Sequence, residues 1–482
     1  MNYHSTRNEQ LTASSTHAVL QGIAPDGGLY ICDPARLGFD WRAALEKPTL
    51  DMAADILHAL LPDFGDMPAL VRASYKDKFP TSDLTPLTPV ADKYVLELYH
   101  GPTSAFKDVA LSVLPHLIGA AAKAEGMKGD VVILTATSGD TGKAAMEGFH
   151  DVPGTRIIVF YPYGGVSAVQ QAQMATQTGG NVKVCAVRGN FDDAQTGVKA
   201  IFADCQGRDL HGAMLSSANS INIGRLAPQV VYYFRAYGDL VKAGRIQLGD
   251  KVDFTVPTGN FGDILAGWFA KCMGLPVGRL VCASNANDVL TEFLRTGRYD
   301  RRRPFYKTTS PSMDILVSSN LERLLYLLSG DAAYVASLMA QLSEQGWYQV
   351  SDELLAKLQE SFGCGCCDDA GAARVIGELW REEKYLCDPH TAVAWAVAQE
   401  QTGDAPMVVL STASPYKFPA AVLGALGEDT GDDEFAMMEK LHDITGAAIP
   451  ANLRGLEGRP VLHKDVIDKT AMEDYVLAEI LK

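Results

Sequence analysis

The chain has 482 residues and a net charge of −16, from 42 Lys and Arg against 58 Asp and Glu. With 47% hydrophobic and 21% charged residues it is not a disordered chain. Its acidic balance argues against nucleic acid or anionic membranes as partners, while leaving room for a locally positive pocket. A length of this size implies roughly two to four domains.

The opening residues, Met1 to Arg7, lack the apolar segment of a signal peptide. No stretch approaches the ~18 continuous apolar residues of a membrane span. Nine cysteines, an odd number scattered along the chain, fit a reducing compartment. The expectation is a cytoplasmic protein, monomer or homodimer. Residues 1–92 mix short apolar segments with Pro and Gly turns and predict a small N-terminal domain, ending near Thr85-Pro86-Leu87-Thr88-Pro89.

Beyond that point strands and helices alternate. Tyr94 to Leu98 reads as a strand, and from Lys107 the positions Ala110, Val113, Leu114, Leu117, Ile118 and Ala121 predict a helix kinked at Pro115. Val131 to Leu134 is a strand buried on both faces, followed by a loop, a helix and the strand Arg156 to Tyr161. Asn181 to Val187 adds another strand. The unit recurs as Val252 to Val256, a Gly-rich loop, a helix from Ile264 to Met273 and the strand Leu280 to Ala283; Val408 to Leu410 is a last buried strand. Alternation of this kind predicts an α/β fold, with two open twisted-sheet lobes covered by helices and a cleft between them. The expected division is residues 1–92, a lobe over 93–240 and a second lobe over 241–482, interrupted by a mainly helical insertion over about 300–385.

Five segments could carry chemistry. His100-Gly101-Pro102-Thr103-Ser104-Ala105-Phe106-Lys107-Asp108 places one lysine at a strand-to-helix junction among small and apolar neighbours. Burial there would lower an amine's pKa and make it nucleophilic toward an aldehyde, against the commoner case of a solvated lysine. Thr135-Ala136-Thr137-Ser138-Gly139-Asp140-Thr141-Gly142 joins a buried strand to a helix, suited either to hold an anion or to cap the helix. Ser216 to Arg225 packs hydroxyls, amides and an arginine into ten residues, as an anion site or a polar capping loop. Thr258-Gly259-Asn260-Phe261-Gly262-Asp263 fits a phosphate or is a tight turn; it is neither a Walker loop nor a GxGxxG site. Leu410 to Phe418 alone reads as a strand end and turn. The cluster Cys364, Cys366 and Cys367 has no second ligand pair, so a loop cluster is expected and no metal site.

Taken together, HGPTSAFKD, TATSGDTG, SANSINIGR, PTGNFGD and STASPYKF resemble, in order and spacing, the threonine synthase family of pyridoxal-phosphate (PLP) enzymes of fold type II. Ser5-Thr6-Arg7 and Asp26-Gly27-Gly28-Leu29-Tyr30 are similar to the family's opening segment. The resemblance covers nearly the whole chain. It implies conversion of O-phospho-L-homoserine and water to L-threonine and phosphate, with pyridoxal 5'-phosphate as cofactor. Lys107 would carry the cofactor and move protons. Gly259, Asn260, Phe261, Gly262 and Asp263 would hold the cofactor phosphate, and Thr412 would face the pyridine nitrogen. Ser138, Asp140 and Thr141 would lie at the substrate carboxylate, and Asn219, Ser220, Asn222 and Arg225 at the substrate phosphate. Lys143 and Lys417 are further helpers on this reading, with a plain surface lysine as the alternative for Lys143. His390, in Asp388-Pro389-His390-Thr391, resembles a recurrent family segment and either touches the site or serves structure. Ala413-Ser414-Pro415 stands where some relatives carry Ala-His-Pro, so no histidine is available there. A phospho-lyase releasing a keto acid and a non-catalytic PLP-binding paralogue share these motifs and stay open.

Overall fold

The computed structural model describes residues 2–137, 139–205 and 208–481, without the side chain of Asp192. Two sheets dominate. One has six strands in the spatial order Phe362–Cys366, Val277–Ser284, Val252–Pro257, Met407–Ser411, Lys93–Glu97 and Leu87–Val90. Its strands are parallel except the last pair, which is antiparallel. The other has five parallel strands in the order Asp465–Asp468, Val182–Arg188, Thr155–Pro162, Val131–Ala136 and Met214–Ser216. Central strands such as Val252–Pro257 are buried along their whole length, which is why they read as apolar runs without alternation. Pro89 is tolerated because Leu87–Val90 is an edge strand that need not donate on its outer side.

The α/β fold with two twisted sheets agrees with the sequence reading, but the sheets do not follow the expected chain segments. Leu87–Val90 and Lys93–Glu97 pair with the sheet that contains the later part of the chain, and Asp465–Asp468 pairs with Val182–Arg188 of the other. The N-terminal residues pack onto the rest of the chain. Tyr3, Val19 and Leu57 belong to the same apolar cluster as Val131, Phe234 and Phe254. The cause is that the pairing of parallel strands is set by tertiary register, on which local periodicity carries no information.

Two local expectations also change. The helix expected to kink at Pro115 is two helices, Lys107–Leu111 and Leu114–Ala124. Pro115 lies in the first turn of the second, where its missing N–H is no loss. The helical stretch beyond residue 300 holds four helices, Leu321–Ser329, Ala332–Gln345, Asp352–Ser361 and Asp369–Glu383, but returns to the first sheet through Phe362–Cys366. Cys364 and Cys366 therefore sit on a strand opposite Cys282 and Ser284 instead of in a loop. Among the described residues no helix is long and apolar enough to cross a membrane.

The helix Asp140–Phe149 packs on Lys107–Leu111, and Gly148 makes that approach possible. A Cβ at Gly148 would lie 2.0 Å from the Leu111 carbonyl oxygen, whereas one at Gly119 meets nothing nearer than 3.6 Å. Gly148→Ala is expected to cost about 1–3 kcal/mol, read as a lower urea midpoint at unchanged slope. Gly119→Ala, inside the helix Leu114–Ala124, should be neutral or stabilising by up to about 1 kcal/mol.

Candidate active site

All five segments singled out in the sequence follow the C-terminal ends of parallel strands: Lys93–Glu97, Val131–Ala136, Met214–Ser216, Val252–Pro257 and Met407–Ser411. In open α/β sheets ligands bind beyond those ends. The lysine turn is fastened to the last of them by backbone. Leu98 N–H donates to Ser411 O at 2.9 Å, Phe106 N–H to Thr412 O at 2.8 Å, and Ser414 N–H to Ser104 O at 3.1 Å. The Asp108 carboxylate closes the turn by accepting from Thr103 N–H at 2.8 Å and Thr103 Oγ1 at 2.5 Å. Thr412 is buried beside Phe106 and so stands next to the lysine.

Lys107 is the first residue of its helix, and its Nζ donates to Ser312 Oγ at 3.2 Å. Burial pulls its amine from 10.5 down to about 8; Asp140 and Asp263 oppose that shift, while Lys417 and Arg225 reinforce it. Asp140 lies in a buried ion pair, with Lys417 Nζ 2.5 Å from its Oδ1. Burial raises the Asp140 carboxyl, yet the ammonium groups of Lys417 and Lys107 hold it well below the usual carboxylate range. Lys417 Nζ also donates to the Thr103 carbonyl at 3.2 Å. Burial pushes the Asp263 carboxyl up to about 7.

The turn from Thr258 to Asp263 opens the helix Gly262–Cys272. Phe261 holds a left-handed φ of 62° with its ring fully buried, a costly conformation for a bulky residue. A Cβ at Gly259 would lie 2.7 Å from the Ser312 carbonyl. The carbonyl of Gly259 accepts from Ser318 Oγ at 2.7 Å, and that of Asn260 from both Asn320 N–H and Nδ2 at 3.0 Å. Of the first-turn amides of that helix, Ile264 N–H donates to Asp263 Oδ1 at 2.9 Å, while those before it have no intrahelical acceptor and suit an anion.

Arg225 is buried, and burial brings its guanidinium down to about 10. Its Nη1 donates to Ala218 O at 2.6 Å, its Nε has no partner, and among the described residues no carboxylate lies within ion-pair distance. An uncompensated buried cation with an orphaned donor suits an anionic ligand. Ser220 is half-buried and Asn219 exposed, with the Asn219 Oδ1 occupied by Ser220 N–H at 2.7 Å. Asn222 is buried and spends its amide on capping, accepting from Gly224 N–H and donating to Val19 O, both at 2.8 Å. Its expected place at a substrate phosphate thus becomes a supporting one. Ser138 lies outside the described residues. Thr141 is half-buried on the first turn of Asp140–Phe149; the N-cap there is Gly139, and Thr137 Oγ1, just before it, accepts from Gly139 and Gly142 N–H at 3.0 Å each.

Lys143 points elsewhere, to Glu147 at 3.4 Å and to Gln177. It faces a cavity of about 930 Å³ lined also by Ser104, Tyr99 and Arg459 but not by Lys107, Asp140 or Arg225. The sequence reading missed Ser312, Ser318 and Asn320, which cover the Thr258–Asp263 turn; nothing in their local pattern marks them. These groups fit a phosphorylated aldehyde cofactor: a desolvated amine, a glycine held tight against its cover, a helix N-terminus and a free guanidinium.

A family model described as "Pyridoxal-phosphate dependent enzyme" matches residues 83–413. Models of the threonine synthase N terminus and C-terminal region match 2–75 and 391–476. Threonine synthase of Pseudomonas aeruginosa is 40% identical, covering 88% of this chain and 90% of the relative. Human threonine synthase-like 1 is 36% identical over 95% of this chain, which spans 63% of that relative's length. The crystal structure of PLP-bound threonine synthase from Brucella melitensis has 38% identity and a TM-score of 0.88, covering both chains fully. That of threonine synthase from yeast has 33% identity and a TM-score of 0.86, covering 100% of this chain and 98% of the other.

The depressed amine gives a sign that can be measured. With its pKa lowered from 10.5 to about 8, Lys107 binds fewer protons folded than unfolded between those values. Stability therefore rises with pH across that window. The cofactor-free protein should gain stability from about pH 8 to 10.5 relative to Lys107→Met. Urea midpoints measured for both proteins over that range check it; parallel pH curves would contradict it.

Proposed function

This chain belongs to the threonine synthase family of pyridoxal-phosphate-dependent enzymes, and we propose that it converts O-phospho-L-homoserine and water to L-threonine and phosphate. The observation that carries this reading is the pairing of two buried cations with different tasks. Lys107 is desolvated to about 8, and Arg225 keeps an unpartnered guanidinium nitrogen nearby.

The bound cofactor supplies an electron sink for the carbon next to the substrate amine. The protein supplies the rest. Lys107 holds the cofactor, and its Nζ, lowered toward neutrality, takes and returns protons at the substrate carbons. The turn Gly259, Asn260, Phe261, Gly262 and Asp263 binds the cofactor phosphate through backbone amides. Thr412, buried beside the lysine turn, would offer a hydroxyl to the cofactor's ring nitrogen. Asp140, held ionised by Lys417, and Thr141 and Ser138 orient the amino-acid end of the substrate. Arg225, with Ser220 and Asn219, binds the departing phosphate, and Asn222 braces that loop. Binding the phosphate where its negative charge grows eases its departure from the γ carbon, and leaves the donors unpaired with unphosphorylated substrates.

One relative is named threonine synthase-like 1 and not threonine synthase; a second reading keeps the same phosphate loss but ends in 2-oxobutyrate, ammonia and phosphate. One incubation of the purified protein with O-phospho-L-homoserine separates the two, with phosphate, threonine and 2-oxobutyrate assayed in parallel. Threonine equimolar with phosphate supports the synthase, 2-oxobutyrate in its place supports the lyase, and no phosphate defeats both. Lys107→Ala should lose at least ~10³-fold in kcat. Arg225→Met should lose roughly 10–100-fold in kcat/KM, the value of a hydrogen bond to a charged group.

A further inference from the structure

A second polar chain reaches Lys107 from the helix Pro389–Gln399. Its cap, Asp388, accepts from His390 N–H at 3.0 Å and Thr391 N–H at 3.1 Å, and from the Thr391 hydroxyl. Asp388 Oδ2 also lies 2.5 Å from His390 Nδ1. The far side of the ring, Nε2, accepts the backbone N–H of Ser312 at 3.2 Å. Ser312 Oγ in turn accepts from Lys107 Nζ at 3.2 Å. A backbone N–H can only donate, so Nε2 is unprotonated and the ring proton sits on Nδ1, facing Asp388. Both side chains are at most 2% exposed, and the ring packs edge-on against Phe418 at 5.0 Å.

We propose that His390 is a positioning residue for Lys107, acting through Ser312. This rests on Lys107 being the cofactor lysine. A helix start needs only the aspartate cap and Pro389, both present. The imidazole does something further: it reaches out of the helix to a loop 78 residues earlier in the chain and fixes that loop's backbone beside the amine. Ser312 Oγ is then held where it favours the ammonium form of Lys107 and aims its Nζ. The charged groups facing that amine are Asp140, Asp263, Lys417 and Arg225, each on a different element. None of them touches His390 through a hydrogen bond, but the imidazole acts on Asp140 through space, so Ser312→Ala, which leaves the imidazole in place, isolates the hydrogen-bonded route.

The test uses the full-length protein freed of cofactor. It is treated with pyridoxal phosphate over a pH series and reduced with borohydride, and the Lys107 peptide is quantified by mass spectrometry. Ser312→Ala is expected to move the midpoint of Lys107 labelling roughly one pH unit lower, because an acceptor for the ammonium is gone. His390→Ala should move it the same way, and the double variant no further than Ser312→Ala alone. His390→Gln, which keeps an acceptor for Ser312 N–H, should restore the parent midpoint. A merely structural histidine would lower the melting temperature and leave the midpoint where it was; that result overturns the proposal. Where His390→Ala does not fold, His390→Asn, too short to reach Ser312, takes its place with the same two outcomes. If the parent protein is labelled at other lysines but not at Lys107, the reading of Lys107 itself fails. If Lys107 is labelled but the histidine variants titrate like the parent, only the positioning role fails.

Discussion

The site depends on how few negative charges accompany its buried positive ones. Lys107, Lys417 and Arg225 are gathered in one region of low polarity, where a lone ion costs several kcal/mol. Among the described residues Asp140 is the carboxylate in an ion pair with them, taken by Lys417 at 2.5 Å. Asp263, its carboxyl pushed up to about 7, offers only part of a charge at neutral pH. The surplus is relieved in two ways. Lys107 gives up its proton more readily, and Arg225 is left with a demand for an anion from outside. A nucleophilic amine and an anion-seeking guanidinium are thus two consequences of one electrostatic imbalance.

Such an imbalance survives only if the backbone cannot collapse around it. The protein spends its more unusual conformations here. Phe261 is held left-handed by a fully buried ring, and Gly259 is pressed against the Ser312 carbonyl. The lysine turn cannot drift, because its backbone is laced to Thr412 and Ser414 at the end of the neighbouring strand. That strand, Met407–Ser411, lies between Val252–Pro257 and Lys93–Glu97, so the phosphate turn and the lysine turn emerge from the same sheet two strands apart. Asp140 and Arg225 follow strands of the other sheet. The ligand region therefore has one wall from each.

Much of this was legible in the sequence, and what was not shares a physical cause. Runs such as Val131 to Leu134 and Val252 to Val256 identify strands buried on both faces wherever they occur. Lys107, Arg225 and the Gly259 turn stand out through the order and spacing of five motifs, since each segment alone also reads as an ordinary turn, cap or surface lysine. Phe362-Gly363-Cys364-Gly365-Cys366 escaped notice as a strand, since it has neither alternation nor a β-branched residue. Lys93–Glu97 was legible as a strand but not as a neighbour of Met407–Ser411, because register is a property of the assembled sheet. Ser312 and Asn320 were invisible for a similar reason. A serine or asparagine in a loop gains meaning only from what is brought against it, here an amine and a carbonyl from elsewhere in the chain.

The segment from Ser310 to Asn320 shows how those late-arriving residues tie the site together. Met313 is its only buried hydrophobic residue, so apolar packing does little to hold it. Directional bonds do. The Asn285 amide donates to Thr308 Oγ1 at 2.8 Å, Ser310 Oγ at 3.0 Å and Asp314 Oδ1 at 2.8 Å, and the fully buried Arg323 grips Asn320 Oδ1, the Tyr30 carbonyl and the Ile221 carbonyl. Slippage by one residue would leave several buried polar groups unpaired at about 1–3 kcal/mol each, so the segment has one register. In that register it touches Lys107 through Ser312, the phosphate turn through Ser318 and Asn320, and the Arg225 loop through Asn320 and the Ser220 carbonyl. The Gly259–Asp263 turn, the Lys107 amine and the Arg225 loop are therefore positioned by one stretch of chain, and a disturbance in any of them is passed to the other two through its hydrogen bonds.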